Sequence, residues 1–145
     1  MADKLKLLLV DTERYRKIML NIRTRDARLR SLDLKLLEAA DGNEALEVFK
    51  REEPNIVVTE LLLPRLSGFE LIRKIRSTDE GKDVPILLVT GLARDMTSIN
   101  VLKRSFNVVL QVKPFTPWDF ALSISKQLAP MRKAEKAKRE SSPNI

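Results

Sequence analysis

Five short, almost wholly apolar runs, each handing over to a stretch with helical spacing, constrain this chain more than any other feature. The runs are Leu5–Val10, Leu34–Ala39, Asn55–Thr59, Pro85–Thr90 and Val108–Val112. They lack the apolar/polar alternation of a strand with one wet face, and their leucines and β-branched residues suit strands buried on both faces. The helical stretches are Glu13 to Arg25, Glu44–Arg51, Phe69–Arg76, Arg94–Phe106 and Pro117–Leu128. In the last, Phe120, Ile124 and Leu128 recur at i, i+4 and i+8. Strands alternating with helices in this way require a parallel sheet covered on both faces by right-handed crossovers. The expected fold is therefore α/β, a doubly wound five-stranded parallel sheet flanked by five helices. Sites in such sheets lie beyond the carboxyl ends of the strands, where strand order reverses. Asp11, Thr12, Glu60, Thr90 and Lys113 fall there.

Local punctuation supports this division. Asp26 lands on the apolar stripe of Tyr15, Ile18, Met19 and Ile22, so the first helix ends near Arg25 and an irregular Arg-rich stretch follows. Asp41-Gly42-Asn43 supplies a turn and a cap for the second helix. Residues 1–128 read as one domain. Residues 129–145, charged and then Ser/Pro-ended, read as a frayed helix extension or a flexible tail.

With no cysteine and no histidine, the chain has no disulfides, no thiolate or imidazole metal ligands, and none of the usual nucleophile–base pairs. No enzymatic activity is expected. The net charge of +7 is local: residues 14–30 carry +6, residues 130–140 carry +3, and the remainder sums to −2. Arg14, Arg16, Lys17, Arg23, Arg25, Arg28 and Arg30 have no interleaved aromatic for base stacking except Tyr15, which lies on the apolar stripe. A solvated protein-docking face is favoured over a nucleic-acid surface. The start, Met1 to Lys6, is charged and leads into an apolar run far too short for a signal core or a membrane span, so a cytoplasmic location is expected.

The residues at the strand ends give the chain its family resemblance. Leu-Leu-Leu-Val-Asp-Thr (7–12), Glu-Ala-Ala-Asp-Gly-Asn-Glu-Ala-Leu (38–46), Leu-Leu-Leu-Pro-Arg-Leu-Ser-Gly (61–68), Val-Pro-Ile-Leu-Leu-Val-Thr-Gly (84–91) and Val-Lys-Pro-Phe (112–115) stand in the order and spacing of a response-regulator receiver domain. Over residues 4–128 the chain resembles that family, which implies a flavodoxin-like strand order of 2-1-3-4-5. It also implies a pocket where two acidic residues after strand one and an aspartate ending strand three hold magnesium, the aspartate accepting a phosphoryl group. A hydroxyl and a lysine complete that chemistry. By the resemblance Asp11, Thr90 and Lys113 match, and Pro114 is expected to follow a cis peptide.

Two positions depart from the pattern. Thr12 replaces the second acidic residue, removing a charge from a site that depends on anionic oxygens, and Glu13 could compensate only by turning inward. Glu60 replaces the phospho-accepting aspartate. Its extra methylene displaces the carboxylate by about 1.5 Å, and a misplacement of about 1 Å can cost on the order of a hundredfold in rate. No cofactor is expected, magnesium only if the site still works, with Asp11 and Glu60 as weak metal candidates. Glu60 is expected to pair with Lys113, with Thr90 as hydrogen-bond partner. Whether that pair mimics the modified state, is a relic, or accompanies true phosphorylation stays open.

The switch is altered too. Leu110 stands where the family usually has a mobile aromatic residue, and Arg104-Ser105-Phe106-Asn107 replaces a small Ala-Gly-Ala element. Both lie on the face of helix four, strand five and helix five, used by family members for partners. Trp118, off the Phe120 stripe, is either an exposed interface anchor there or packs on Phe115 or Leu110. The expected partners are other signalling, motility or polarity proteins, docking through Leu110, Phe106, Lys113 and Trp118. The sequence does not show the oligomeric state.

Overall fold

In the computed structural model the five apolar runs form a single parallel sheet in the order β2-β1-β3-β4-β5. The structure describes residues 5–91, 96–113 and 115–141, less the side chains of residues 12, 14, 96, 98 and 132–141. The elements are β1 (Lys6–Val10), α1 (Thr12–Arg25), α2 (Ala27–Arg30), β2 (Lys35–Ala39), α3 (Gly42–Glu52), β3 (Ile56–Glu60), α4 (Gly68–Arg76), β4 (Ile86–Thr90), α5 (Met96–Ser105), β5 (Val109–Val112) and α6 (Pro117–Ser141).

Successive strand residues point to opposite faces, and the core divides accordingly. Leu7, Leu9, Val58, Leu87 and Val89 pack with Met19, Ile22, Leu29, Phe120, Ile124 and Leu128 under α1, α2 and α6. Leu8, Val10, Val57, Ile86 and Leu88 pack with Phe49, Leu71, Ile72, Ile75 and Leu102 under α3, α4 and α5. β3 and β4 are buried along their whole length, whereas β5 is a partly exposed edge. Asp41 caps α3 as expected, its side chain accepting from the Glu44 N–H at 2.9 Å.

One element differs from the sequence expectation: the Arg-rich stretch expected to be irregular contains a short sixth helix, α2. Of the two readings of residues 129–145, the helix extension is the one observed, α6 continuing through Pro130 to Ser141. Asp26 explains α2. Its N–H closes α1 on the Ile22 carbonyl at 2.9 Å, while its carboxylate caps α2 by accepting from the Arg28 N–H at 2.9 Å. The Arg28 guanidinium forks onto both carboxylate oxygens at 3.0 and 2.7 Å and reaches the Trp118 carbonyl at 3.3 Å, tying α2 to α6.

The hydrogen-bonded Arg28 side chain holds the Asp26 carboxyl below its ordinary range. A carboxyl depressed in the folded state stabilises above its unfolded pKa and loses that contribution as pH falls through the folded value. Asp26→Asn is therefore expected to lower stability by about 1 kcal/mol at pH 7. Urea midpoints should show the difference narrowing as pH drops below the ordinary aspartate range.

Arg76 fixes the approach to β5 from the other face. Its guanidinium donates to the carbonyls of Phe106 at 2.7 Å, Gly81 at 2.9 Å and Val84 at 2.6 Å, and burial lowers its pKa. With a further bond to the Asn107 carbonyl at 3.3 Å, one side chain ties the loop after α4 to the loop before β5.

Candidate functional site

The carboxyl ends of β1, β3, β4 and the residue after β5 gather the residues expected at the site. Asp11 follows β1 in a left-handed conformation (φ 78°, ψ 63°), pinned by its N–H to the Ala39 carbonyl at 2.9 Å. A non-glycine residue held there stores backbone strain of order 1 kcal/mol, a feature that clusters at functional sites. Glu60 is the last residue of β3 and only 5% exposed. Thr90 ends β4, buried, and its carbonyl accepts from the Lys113 N–H at 2.9 Å. Gly68 opens α4 directly over this end of β3, where a Cβ would lie 2.2 Å from the Glu60 carbonyl, so the close approach requires glycine.

Among the described residues the Glu60 carboxylate is engaged by Lys113 and Tyr15. Lys113 Nζ forms an ion pair with Oε1, and the Tyr15 hydroxyl donates to the same oxygen at 2.6 Å. Among the described residues the hydroxyl that reaches Glu60 is therefore that of Tyr15, where Thr90 had been expected. Lys113 Nζ also lies 5.1 Å from the centroid of the Tyr15 ring, within cation–π range. Behind it the Tyr15 ring stacks on Phe115 at 6.2 Å and meets Phe120 at 6.0 Å, with Phe115 and Phe120 themselves 5.3 Å apart.

Tyr15 sits on the apolar stripe of α1, where the sequence pattern predicts a core residue and does not point to the pocket. The signal available was its chemistry: a tyrosine buried to 4% exposure one helical turn after Asp11 needs a partner for its hydroxyl. Glu13, the possible substitute ligand, is exposed and does not turn inward. The side chain of Thr12, and Pro114 with its expected cis peptide, lie outside the described residues. Among the described residues no group of three or more acidic side chains is placed to hold a metal ion.

The sequence pattern of the "Response regulator receiver domain" matches residues 8–124. The chain belongs to the response regulator receiver family. A "Chemotaxis protein CheY homolog" of Campylobacter jejuni is 36% identical over 115 residues, covering 78% of this chain and 84% of that protein. The "Probable transcriptional regulator ycf27" of Porphyridium aerugineum is 35% identical over 133 residues, 91% of this chain and 51% of that protein. The chain thus spans about half the length of several curated relatives it matches. Among solved structures, the receiver domain of the sensor histidine kinase PA1611 from Pseudomonas aeruginosa superposes with TM-score 0.68 at 26% identity, covering 88% of this chain and 99% of that one. That receiver carries a magnesium ion in its active site cleft.

The face expected to serve partners comprises α5, β5 and α6, the observed counterparts of helix four, strand five and helix five. Leu110 is half-buried and packs into the α3–α5 side of the core. Phe106 is half-buried and meets Phe69 edge-on at 6.3 Å. Trp118 is 59% exposed, which decides between the two readings of it in favour of the exposed one. Val101, Val109, Val112 and Leu122 are also exposed on these three elements. Among the described residues no helix is long and apolar enough to cross a membrane.

Proposed function

We propose that this receiver domain of two-component signalling acts by binding partner proteins and is not switched by an aspartyl phosphate. The observation that carries the reading is the engagement of Glu60 Oε1 by both Lys113 and Tyr15. In a working receiver the acceptor oxygen must face an incoming phosphoryl group and a metal ion, and the lysine must be available to the transferred group. Here the lysine is paired with the carboxylate itself, and an aromatic hydroxyl occupies a further approach to that oxygen.

Magnesium fits this donor set poorly. A small hard cation needs several oxygen ligands in octahedral array. Among the described residues Asp11 and Glu60 are the carboxylates at this rim, Glu60 Oε1 already accepts two donors, and Glu13 is exposed. The pair instead holds permanently a negative group beside Lys113, the charge arrangement that phosphorylation would otherwise create.

The partners are other signalling proteins, reached through the exposed Val101 of α5, Val109 and Val112 of β5, and Trp118 and Leu122 of α6. Exposed apolar residues grouped on three adjacent elements, with one tryptophan, have the composition of an interface core. A cytoplasmic site of action accords with a receiver role.

Trp118 fluorescence tests the reading directly. Titration with magnesium and then beryllium fluoride, a phosphoryl mimic, is expected to leave wild-type emission unchanged, while a Thr12→Asp, Glu60→Asp variant responds. A wild-type response at sub-millimolar metal would establish the competing reading, a functional phospho-receiver with an altered carboxylate.

A further inference from the structure

Receivers of the usual kind carry the state of the pocket through a hydroxyl on β4 to an aromatic residue on β5. Leu110 removes that aromatic residue, and its side chain packs into the core on the α3–α5 side of the sheet. The side-chain contacts of Glu60 among the described residues lead elsewhere. Tyr15, Phe115 and Phe120 all belong to the opposite core, under α1, α2 and α6.

We infer that Tyr15 is the positioning residue that ties the Glu60 carboxylate to the first turns of α6, so that pocket and α6 report on one another through the Tyr15–Phe115–Phe120 ring cluster. The inference rests on the reading of Glu60 as a standing charged group and extends it by naming its route of communication.

Three features make the cluster a mechanical link. The hydroxyl–carboxylate bond is short, 2.6 Å, as expected of an O–H donor to a charged acceptor. The Tyr15 ring is buried and held by two other rings and by Lys113 Nζ, so the ring cannot follow a change at its hydroxyl without disturbing them. Finally, Phe120 lies in the second turn of α6, with Trp118 two residues before it on the exposed side. The Arg28 bond to the Trp118 carbonyl extends the link to α2.

Lys113 sharpens the coupling because one ammonium both pairs with Glu60 and lies over the Tyr15 ring. Neutralising the carboxylate weakens the ion pair and the hydroxyl bond together, freeing two of the groups that fix the ring. By reciprocity, a partner that repositions the start of α6 must alter the Glu60 pocket by the same coupling free energy.

The test is a mutant cycle read at Trp118 on the whole chain, with no metal or phosphoryl analogue present. The indole N–H resonance and the emission maximum are recorded for wild type, Glu60→Gln, Tyr15→Phe and the double variant. Tyr15→Phe keeps the ring and removes only the hydroxyl.

Glu60→Gln is expected to shift the Trp118 resonance in the wild-type background, and the shift to shrink at least about threefold in the Tyr15→Phe background. Phe115→Leu, which leaves the hydroxyl bond in place but breaks the stack, should also suppress it. Leu110→Ala should leave it intact.

An equal shift with and without the Tyr15 hydroxyl, or no shift in the wild-type background, overturns the link. Loss of the shift in Leu110→Ala also overturns it, by restoring the β5 route. Uptake of beryllium fluoride by the wild type would sink the unphosphorylated reading and leave this cycle standing, so the two failures are distinguishable.

Discussion

Phe120→Ala is expected to lower the free energy of unfolding by about 4 kcal/mol, within the usual range for truncating a fully buried phenylalanine. Phe120 has no exposed surface and touches the rings of both Tyr15 and Phe115, so truncation loses apolar burial, leaves a cavity and breaks two ring contacts. For a chain of this length the loss corresponds to a fall in melting temperature of about 10–15 °C. Phe120→Leu, which keeps most of the volume, should cost about 1 kcal/mol. Trp118→Ala, two residues away, supplies the contrast. With 59% of its surface already in water, it should change stability by no more than about 0.5 kcal/mol. Chemical and thermal unfolding of the three variants checks the series. A small effect at Phe120 would mean that α6 is not docked as described.

The fold was legible because its strands announce themselves by continuity and its helices by period. Leu7 and Leu9 face one core and Leu8 and Val10 the other, so a run with no polar alternation could only be a strand covered twice. The short helix α2 was not legible. Its four residues, Ala-Arg-Leu-Arg, are too few for a period, and it is held by the Asp26 cap, the Arg28 fork and the burial of Leu29. The run of α6 beyond Leu128 was legible only as one of two alternatives, a helix extension or a flexible tail. Leu128 is the last residue of the apolar stripe, and Pro130 ordinarily argues for a stop.

At the site, Asp11, Glu60, Thr90 and Lys113 were legible because strand ends and motif spacing place them at one rim. Tyr15 was not, because a tyrosine on an apolar stripe satisfies the pattern for a core residue whether or not its hydroxyl is used. The structure shows that it fills both roles: its ring is part of the core, and its oxygen is part of the pocket.

Lys113→Ala should cost about 2–3 kcal/mol, because it takes the Lys113 ammonium away from a buried Glu60 carboxylate to which Tyr15 stays bonded. The value sits at or below the low end for a broken buried pair because the Lys113 side chain keeps 24% of its surface exposed, so water can partly replace the ammonium. Removing both charges is a different experiment. A Glu60→Met, Lys113→Met variant fills similar volume with apolar atoms and leaves no uncompensated carboxylate, so it should lie within about 1 kcal/mol of the wild type. The Tyr15 hydroxyl then loses its acceptor, and adding Tyr15→Phe to the pair should recover stability. Urea unfolding of the single, double and triple variants separates these contributions. If Lys113→Ala costs no more than the few tenths of a kcal/mol typical of a surface ion pair, water already solvates Glu60. The pocket would then be open to an incoming metal or phosphoryl group, and a standing Glu60–Lys113 pair could not be what sets the state of this receiver.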